Sequence, residues 1–418
     1  MTYAVVTFGC RVNQADSLAI EDGLRARGGA AAPPETADVV VVNTCSVTAS
    51  ADQAARQTIR RIARANPAAR IVVTGCYATR RPDEVSSLPN VFRVVDNTEK
   101  DALVPAIAAA GLTTAERFGG GDGPCGGTLE PGVAGRTAFT LRVQTGCEER
   151  CSYCIIPQTR GAGRSRPLAQ VLRDVERAAH AGYREIAVTG VHLGSYGRDL
   201  AEGSSLVSLV RALAAFDADV LFRISSLEPM DCTDEIVDLV AASPRLAPHL
   251  HLPLQHGSDA MLRAMQRPYT AAYYRRLVER IAAVLPDAAV GTDIIVGFPG
   301  ETEAQFVEMR TLLEWLPLTH LHVFPYSDRP GTAASRLHPK VAGPVIRDRG
   351  REIRAIGEQM TLRFRQSQVG RRVRALTVGD GASVVTEYYL KLRLDANRGR
   401  NEWVRVLVLD EARGALST

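Results

Sequence analysis

Lysine is almost absent from this chain: Lys100, Lys340 and Lys391 stand alone against 47 arginines. So uniform a bias belongs to the whole chain, and it denies any single arginine a role merely for being arginine. No uninterrupted apolar run approaches the ~18 residues of a membrane span, which excludes a helical membrane protein. The opening residues, MTYAVVTFGC, lack a basic stretch followed by an apolar one and a cleavage site. They read directly as a strand, which argues against a secretory leader and for a cytoplasmic protein. A Walker A loop, a nucleophile elbow in triad context and an HExxH pair are all missing, and with them the chemistries they serve. One further absence is more informative. Where three cysteines stand close together, a fourth does not follow.

Those three are Cys147, Cys151 and Cys154, in the run TGCEERCSYCIIPQTRG. Their C-x3-C-x2-C spacing suits three corners of a cubane iron–sulfur cluster, for which thiolates are the preferred ligands. With the fourth ligand missing, one iron keeps an open position, and the small molecule that chemistry of this kind places there is S-adenosylmethionine (SAM). A structural zinc knuckle is the bland alternative, but it wants four closed ligands and recurring C-x2-C pairs. Eight cysteines in a reducing compartment point to metal or catalysis more than to disulfides.

At 418 residues, 45% apolar and 23% charged, the chain has room for two or three domains with sizeable cores. Residues 1–112 alternate strand-like runs (YAVVTF, DVVVVNT, ARIVVTG) with helical ones, which predicts a parallel sheet covered on both faces. Cys10, Cys45 and Cys76 each stand where one of those strands ends. Such a sheet gathers its strand ends along one rim, where ligands bind, so the three form a second candidate cluster site. Buried structural cysteines are the alternative reading, and zinc the alternative metal. Residues 113–136, rich in Gly and Pro, read as a linker; Cys125 within it reads as a spare thiol. Cys232, ahead of a helix, reads as a packed one.

From 137 to 366 a longer series follows, with strands expected in TAFTLRVQ, REIAVTG, VLFRISS, HLHLPLQ, VGTDIIVG and LTHLHVFPY. Six strand–helix units are too few for a closed eightfold barrel and suit an open, partial (β/α)6 one, with its site at the carboxyl ends of the strands. GFPGE, Gly297 to Glu301, opens a helix after the fifth strand, so its amides can approach a cofactor. His249, His251 and His256 suggest barrel-interior hydrogen bonding more than a metal. Arg56, Arg60 and Arg64 share one helix face that reads as solvated. After an Arg-rich helix over 345–366, residues 367–418 turn to β pattern, with strands in RRVRALTV, ASVVTEYYLKLRL and NEWVRVLVLD. Residues 361–418 carry eleven Arg or Lys and six Asp or Glu, on a body close to neutral. A basic small barrel of this kind suits RNA, with Tyr388, Tyr389, Lys391, Arg393 and Arg398 as candidate contacts.

GCRVNQ, NTCSVT, TGCYA, CEERCSYCIIPQTRG, RISSLEP, LPLQHGSD and GFPGET occur in this order, and together they resemble the radical-SAM methylthiotransferases over nearly the whole chain. The segments around Cys10, Cys45 and Cys147 are most similar to the MtaB-type branch. The resemblance implies an N-terminal methylthiotransferase domain, a radical-SAM core and a C-terminal TRAM-like RNA-binding barrel. It implies that Cys147, Cys151 and Cys154 hold the SAM-cleaving [4Fe-4S] cluster, and Cys10, Cys45 and Cys76 an auxiliary [4Fe-4S] cluster that carries sulfur. Tyr153, Gly190, Ser225, Glu228, Gly297 and Gly300 are implied at the SAM site. The implied reaction places a methylthio group on C2 of N6-threonylcarbamoyladenosine beside the anticodon, with two SAM per turnover. Its implied partners are a tRNA anticodon stem-loop, a flavodoxin- or ferredoxin-like electron donor and a sulfur donor, and the enzyme is expected to be a monomer without membrane contact. The same chemistry on isopentenyladenosine or a ribosomal-protein aspartate is the alternative target, and a non-catalytic iron–sulfur RNA-binding protein the alternative class.

Overall fold

A computed structural model describes residues 1–112, 137–200 and 203–416. The linker and Cys125 lie outside the described residues.

The first domain starts with β1 (Thr2–Thr7), α1 (Arg11–Arg25), β2 (Ala30–Ala31), β3 (Val39–Thr44), α2 (Ala49–Ala65) and β4 (Arg70–Gly75). Helices α3 (Cys76–Arg80) and α4 (Pro82–Ser86), strand β5 (Val91–Val95) and helix α5 (Leu103–Ile107) complete it. All five strands are parallel, in the order β2-β1-β3-β4-β5. β3 is buried at every position because it is central and both faces are covered. The sheet is wider than the three strands read from the sequence. β2 is two residues long and β5 is a half-exposed edge, so neither carries a strong apolar run.

On the helical face of this sheet Asp22 is buried, and burial pushes its carboxyl up to about 6. The folded state therefore holds a proton that the unfolded chain releases, and stability falls as pH rises from about 4 to about 6. Asp22→Asn should raise stability at pH 7 by about 1 kcal/mol and flatten that slope, read by urea melts across the window.

In the central domain β6 (Phe139–Arg142) leads into β7 (Gln144–Thr145), which pairs antiparallel with β8 (Arg164–Ser165) across α6 (Ile156–Arg160). This ribbon pinches the base of the loop that carries the three close cysteines. The series continues with α7 (Leu168–His180), β9 (Glu185–Thr189), α8 (Leu206–Ala214), β10 (Leu221–Ile224), α9 (Asp234–Ala242) and β11 (His249–His251). Then come α10 (Asp259–Ala264), α11 (Ala271–Val284), β12 (Ala289–Val296), α12 (Glu303–Trp315), β13 (His320–Pro325) and the long α13 (Gly343–Ser367). The six expected strands are all present, as two parallel triplets, β10-β9-β6 and β11-β12-β13. A bridge between Phe222 and Leu246 joins the triplets into one curved wall. One large apolar cluster fills the space between that wall and its helices, and α7 contributes Val171 and Val175 to it. The opposite face of the wall, toward the lumen, is polar: Thr140, Glu185, Arg223, His249, His251, Asp293, His320 and His322 alternate with the core-facing residues.

The tail is a closed barrel, β14-β15-β16-β18-β17, of β14 (Arg372–Val378), β15 (Ser383–Thr386), β16 (Lys391–Leu394), β17 (Trp403–Val408) and β18 (Arg413–Leu416). ASVVTEYYLKLRL is two strands and a turn, where one strand was expected. Tyr389 in that turn takes φ +64°, and the strand direction reverses around it. Among the described residues no helix is long and apolar enough to cross a membrane.

Candidate active site

Cys10 is exposed at the start of α1, while Cys45 and Cys76 are buried just beyond β3 and at the head of α3. Two glycines make this convergence possible. Gly9 sits at φ +87°, and a Cβ there would stand 2.6 Å from both Cβ and Sγ of Cys45. Gly75, at φ +96°, would drive a Cβ to 2.2 Å from the Thr44 carbonyl. Neither position admits a side chain. Side-chain amides hold the rim: Asn13 Nδ2 donates to the carbonyls of Phe8 (2.8 Å) and Thr44 (2.9 Å), and Asn43 Nδ2 to that of Asn13 (2.8 Å).

Cys147, Cys151 and Cys154 are half-buried and unpaired in the pinched loop. Ser152 anchors the loop to the wall through its amide on the Met265 carbonyl (3.0 Å) and its hydroxyl on that of Ala264 (2.8 Å). Arg267 Nη1 donates to Cys151 Sγ at 2.9 Å, its Nε to the Tyr269 hydroxyl at 3.1 Å, and its Nη2 pairs with Glu228.

Both cysteine sets fit iron–sulfur clusters. Burial pushes the thiols of Cys45 and Cys147 up to about 11 and that of Cys154 up to about 12, so without a cation they stay protonated. A bound metal reverses that balance. One tetrahedral zinc with ~2.3 Å bonds needs its sulfurs about 3.8 Å apart. Among the described residues, the group with three donor atoms within 4.8 Å of one another is His251, Asp293 and His322, and neither cysteine set is that tight. The wider spacing suits separate corners of a cluster.

Two buried ionic knots bind the first domain across the open side of the barrel. Asp16 on α1 receives Lys100 at 2.8 Å, Arg160 at 3.2 Å and also Arg142, and burial is overcome by these cations, which hold its carboxyl well below the usual range. Asp52 receives Arg80 at 2.6 Å and Arg329 at 2.7 Å, and Arg329 follows β13, at the barrel's other edge. Arg160 does more than clamp. It stands six residues after Cys154, is buried, and interacts with Cys76 and with Asn13. One side chain thereby ties the loop of one cysteine set to the rim of the other.

Of the residues expected around SAM, Ser225 keeps a buried hydroxyl without a partner, as a ligand position would. Gly190 lies against Gln144, whose Oε1 accepts the amides of Val191 (2.9 Å) and His192 (3.0 Å), so that turn is rigid. Tyr153 packs beside Met261, Met265 and Phe298. Glu228 faces the cysteine loop through Arg267. Gly297 and Gly300 are placed differently from their expected use. The amides of Gly297 and Phe298 donate to the Glu301 carboxylate, which Arg349 also holds at 3.0 Å, and the Gly300 amide donates to the Pro339 carbonyl at 2.8 Å. The GFPGE turn is closed on itself.

Hydrogen bonding in the interior holds His251 and His256, whereas His249 Nδ1 is buried without a partner. His251 Nε2 and His322 Nδ1 both bond Asp293 Oδ1, at 2.9 and 3.2 Å, and His249 stacks on His320. His256 is buried and bonds the Ser258 amide at 3.0 Å. Cys232 is a packed core thiol. Arg56 is tied to Tyr77 and Glu84, whereas Arg60 and Arg64 are solvated. Arg160, Arg267, Arg329, Asp16 and Asp52 were not singled out in the sequence. The available signal was position, since Arg160 lies in the cysteine loop's own segment. Tyr389, one of the candidate RNA contacts, sits with its ring 4.5 Å from that of His249 in the central barrel and stays 46% exposed.

Comparison with known proteins agrees with these features. Residues 2–96 match "Uncharacterized protein family UPF0004" and residues 141–313 match the Radical SAM superfamily. The chain is 34% identical to "Threonylcarbamoyladenosine tRNA methylthiotransferase MtaB" of Aquifex aeolicus, over 98% of this chain and all of that one. It is 35% identical to the Thermotoga maritima protein of the same name, over 98% and 95%. "tRNA-2-methylthio-N(6)-dimethylallyladenosine synthase" of Acidothermus cellulolyticus is 35% identical over 95% of this chain and 82% of that one. Among solved structures, the radical SAM methyltransferase TsrM of Kitasatospora setae superposes with a TM-score of 0.58 at 16% identity, covering 80% and 73%, which shows a shared fold alone.

Proposed function

The chain belongs to the radical-SAM tRNA methylthiotransferases, and on that premise we propose that it inserts a methylthio group at C2 of N6-threonylcarbamoyladenosine next to the anticodon. The observation that carries this reading is the pairing of two cysteine triads across one chamber, joined by Arg160. When bound, a [4Fe-4S] cluster on Cys147, Cys151 and Cys154 would supply the electron that cleaves SAM, and one on Cys10, Cys45 and Cys76 the sulfur to be transferred. The chain's own residues do the rest. Arg267 donates to Cys151 and carries charge-assisted bonding into the SAM side of the loop. Ser225 offers its free hydroxyl there. The Asp16 and Asp52 knots keep the first domain seated on the lumen, which excludes bulk water from a reactive radical. The C-terminal barrel supplies the basic surface that grips the anticodon stem-loop. A flavodoxin- or ferredoxin-like donor would supply electrons, and a separate donor would restore sulfur. Two SAM are consumed per product, and the enzyme acts as a cytoplasmic monomer.

Deletion of the gene should remove 2-methylthio-N6-threonylcarbamoyladenosine from total tRNA, and N6-threonylcarbamoyladenosine should accumulate, read by nucleoside mass spectrometry. Unchanged product would reject the assignment. Loss of the isopentenyl analogue instead would move the substrate to that nucleoside.

A further inference from the structure

Beside the exposed Cys10 a cavity of about 730 Å3 opens between all three domains. Arg11 and Gln14 of α1, Thr140 and Glu185 of the barrel lumen, and Tyr389 and Lys391 of the C-terminal barrel line it. Its size is that of a pocket for a nucleoside-scale ligand. Its charge is uneven. Glu185 is occupied by Arg223, through bonds of 3.1 and 3.0 Å. Asp380, also on the lining, accepts the Ala382 amide at 3.0 Å. Arg11 and Lys391 have no carboxylate partner among the described residues. Arg11 is nevertheless held in place: its Nη2 donates to the Tyr389 hydroxyl at 3.1 Å, and its guanidinium lies 5.9 Å from the centre of that ring. Tyr389 is itself fixed by Arg223, 4.8 Å over its ring, and by His249. Its left-handed backbone, φ +64°, is one a tyrosine seldom adopts, and strain of that kind persists where surrounding contacts impose it.

We propose that Arg11, braced by the Tyr389 hydroxyl and faced by Lys391, is the seat for the carboxylate of an acidic substituent on N6 of the target adenosine. The inference rests on the substrate reading above. In adenine, C2 and C6 flank N1, so the C2–H bond and the C6–N6 bond leave the same edge of the six-membered ring in diverging directions. When C2 faces the triad at Cys10, the substituent leaves the ring to one side of that triad, where the cavity lined by Arg11 adjoins Cys10. An oriented guanidinium matches a carboxylate with two parallel bonds, and a neutral alkyl substituent leaves that cation unsatisfied. Selectivity therefore comes from a charge that only one class of N6-modified adenosine can meet.

Equilibrium binding to anaerobically reconstituted holoenzyme, without reductant so that no chemistry runs, tests this. Two fluorescent anticodon stem-loops serve as probes, one with N6-threonylcarbamoyladenosine and one with its methyl ester. The native protein should prefer the acid. Arg11→Gln should weaken the acid about 10- to 100-fold and change the ester less than about twofold, while Arg11→Lys, which keeps the charge but not the paired bonds, retains only part of the preference. Tyr389→Phe, which removes one hydroxyl on the C-terminal barrel and leaves Cys10 and its sequence neighbours unchanged, should reduce the acid preference about threefold with its iron content unchanged, and this variant decides the matter if Arg11→Gln loads iron poorly. An equal loss for both probes, or no loss for either, overturns the seat and leaves the substrate assignment standing. A native protein that prefers the ester overturns the substrate assignment and the seat together.

Discussion

Replacing Cys10, Cys45 and Cys76 together by alanine should abolish the methylthio product while leaving reductive SAM cleavage running. The reconstituted native protein should bind about eight irons and the triple variant about four, as two cubanes and then one require. 5′-Deoxyadenosine should still form at close to the native rate, because the contacts that seat the loop, Arg267 on Cys151 and Ser152 on the Ala264 and Met265 carbonyls, involve none of the three replaced residues, and Arg160 alone reaches Cys76. The reciprocal triple replacement of Cys147, Cys151 and Cys154 should lose both 5′-deoxyadenosine and product at the same iron count. An unchanged count of eight irons in the first variant, or persistent product, would sink the auxiliary role. The expectation follows from where the thiols stand: two buried and one exposed, on a rim whose glycines at 9 and 75 leave no room for a side chain.

The second large effect lies in a carboxylate that touches neither cysteine set. Asp16→Ala leaves Lys100 and Arg160, 5% and 3% exposed at the side chain, without their anion. Stranding buried charge in this way costs about 3–5 kcal/mol. That corresponds to a first melting transition lower by on the order of 10 °C, read by calorimetry. Since Arg160 also loses its clamp beside Cys76, product per 5′-deoxyadenosine should fall in the variant that survives. The matched control is Asp101→Ala. Asp101 also pairs with Arg142, at 3.6 Å, but is 92% exposed, so its loss should leave the transition unmoved. If the two variants melt alike, the Asp16 knot is not what seats the first domain.

Periodicity revealed most of the architecture, because a wall strand or a β3 buried on both faces writes itself as an apolar run. It failed where a strand is an edge, as in β5, or only a turn reverses it, as at Tyr389. VVTEYYLKLRL alternates well enough to pass as one strand, and a tyrosine at positive φ has no sequence signal. The six cysteines proposed as cluster ligands stand out in the sequence for two different reasons. Cys147, Cys151 and Cys154 are close in sequence, whereas Cys10, Cys45 and Cys76 needed the inference that parallel strands end along one rim. Arg160 was invisible among 47 arginines, since what distinguishes it is the burial and the sulfur beside it. The GFPGE turn misled in the opposite direction. Glu301, inside the same motif, claims the amides that looked available for a ligand.

The contact between Arg11 and Tyr389 joins residues 378 positions apart. Chains fold from the N-terminus as they are synthesised. The first thiol triad is therefore complete once the first parallel sheet has formed, long before the barrel that will border it exists. Cys10 stays exposed in the finished chain, so the last barrel borders the approach to this rim without sealing it. The last part of the chain to be made is thus the part that braces Arg11, the residue beside the first thiol of the chain.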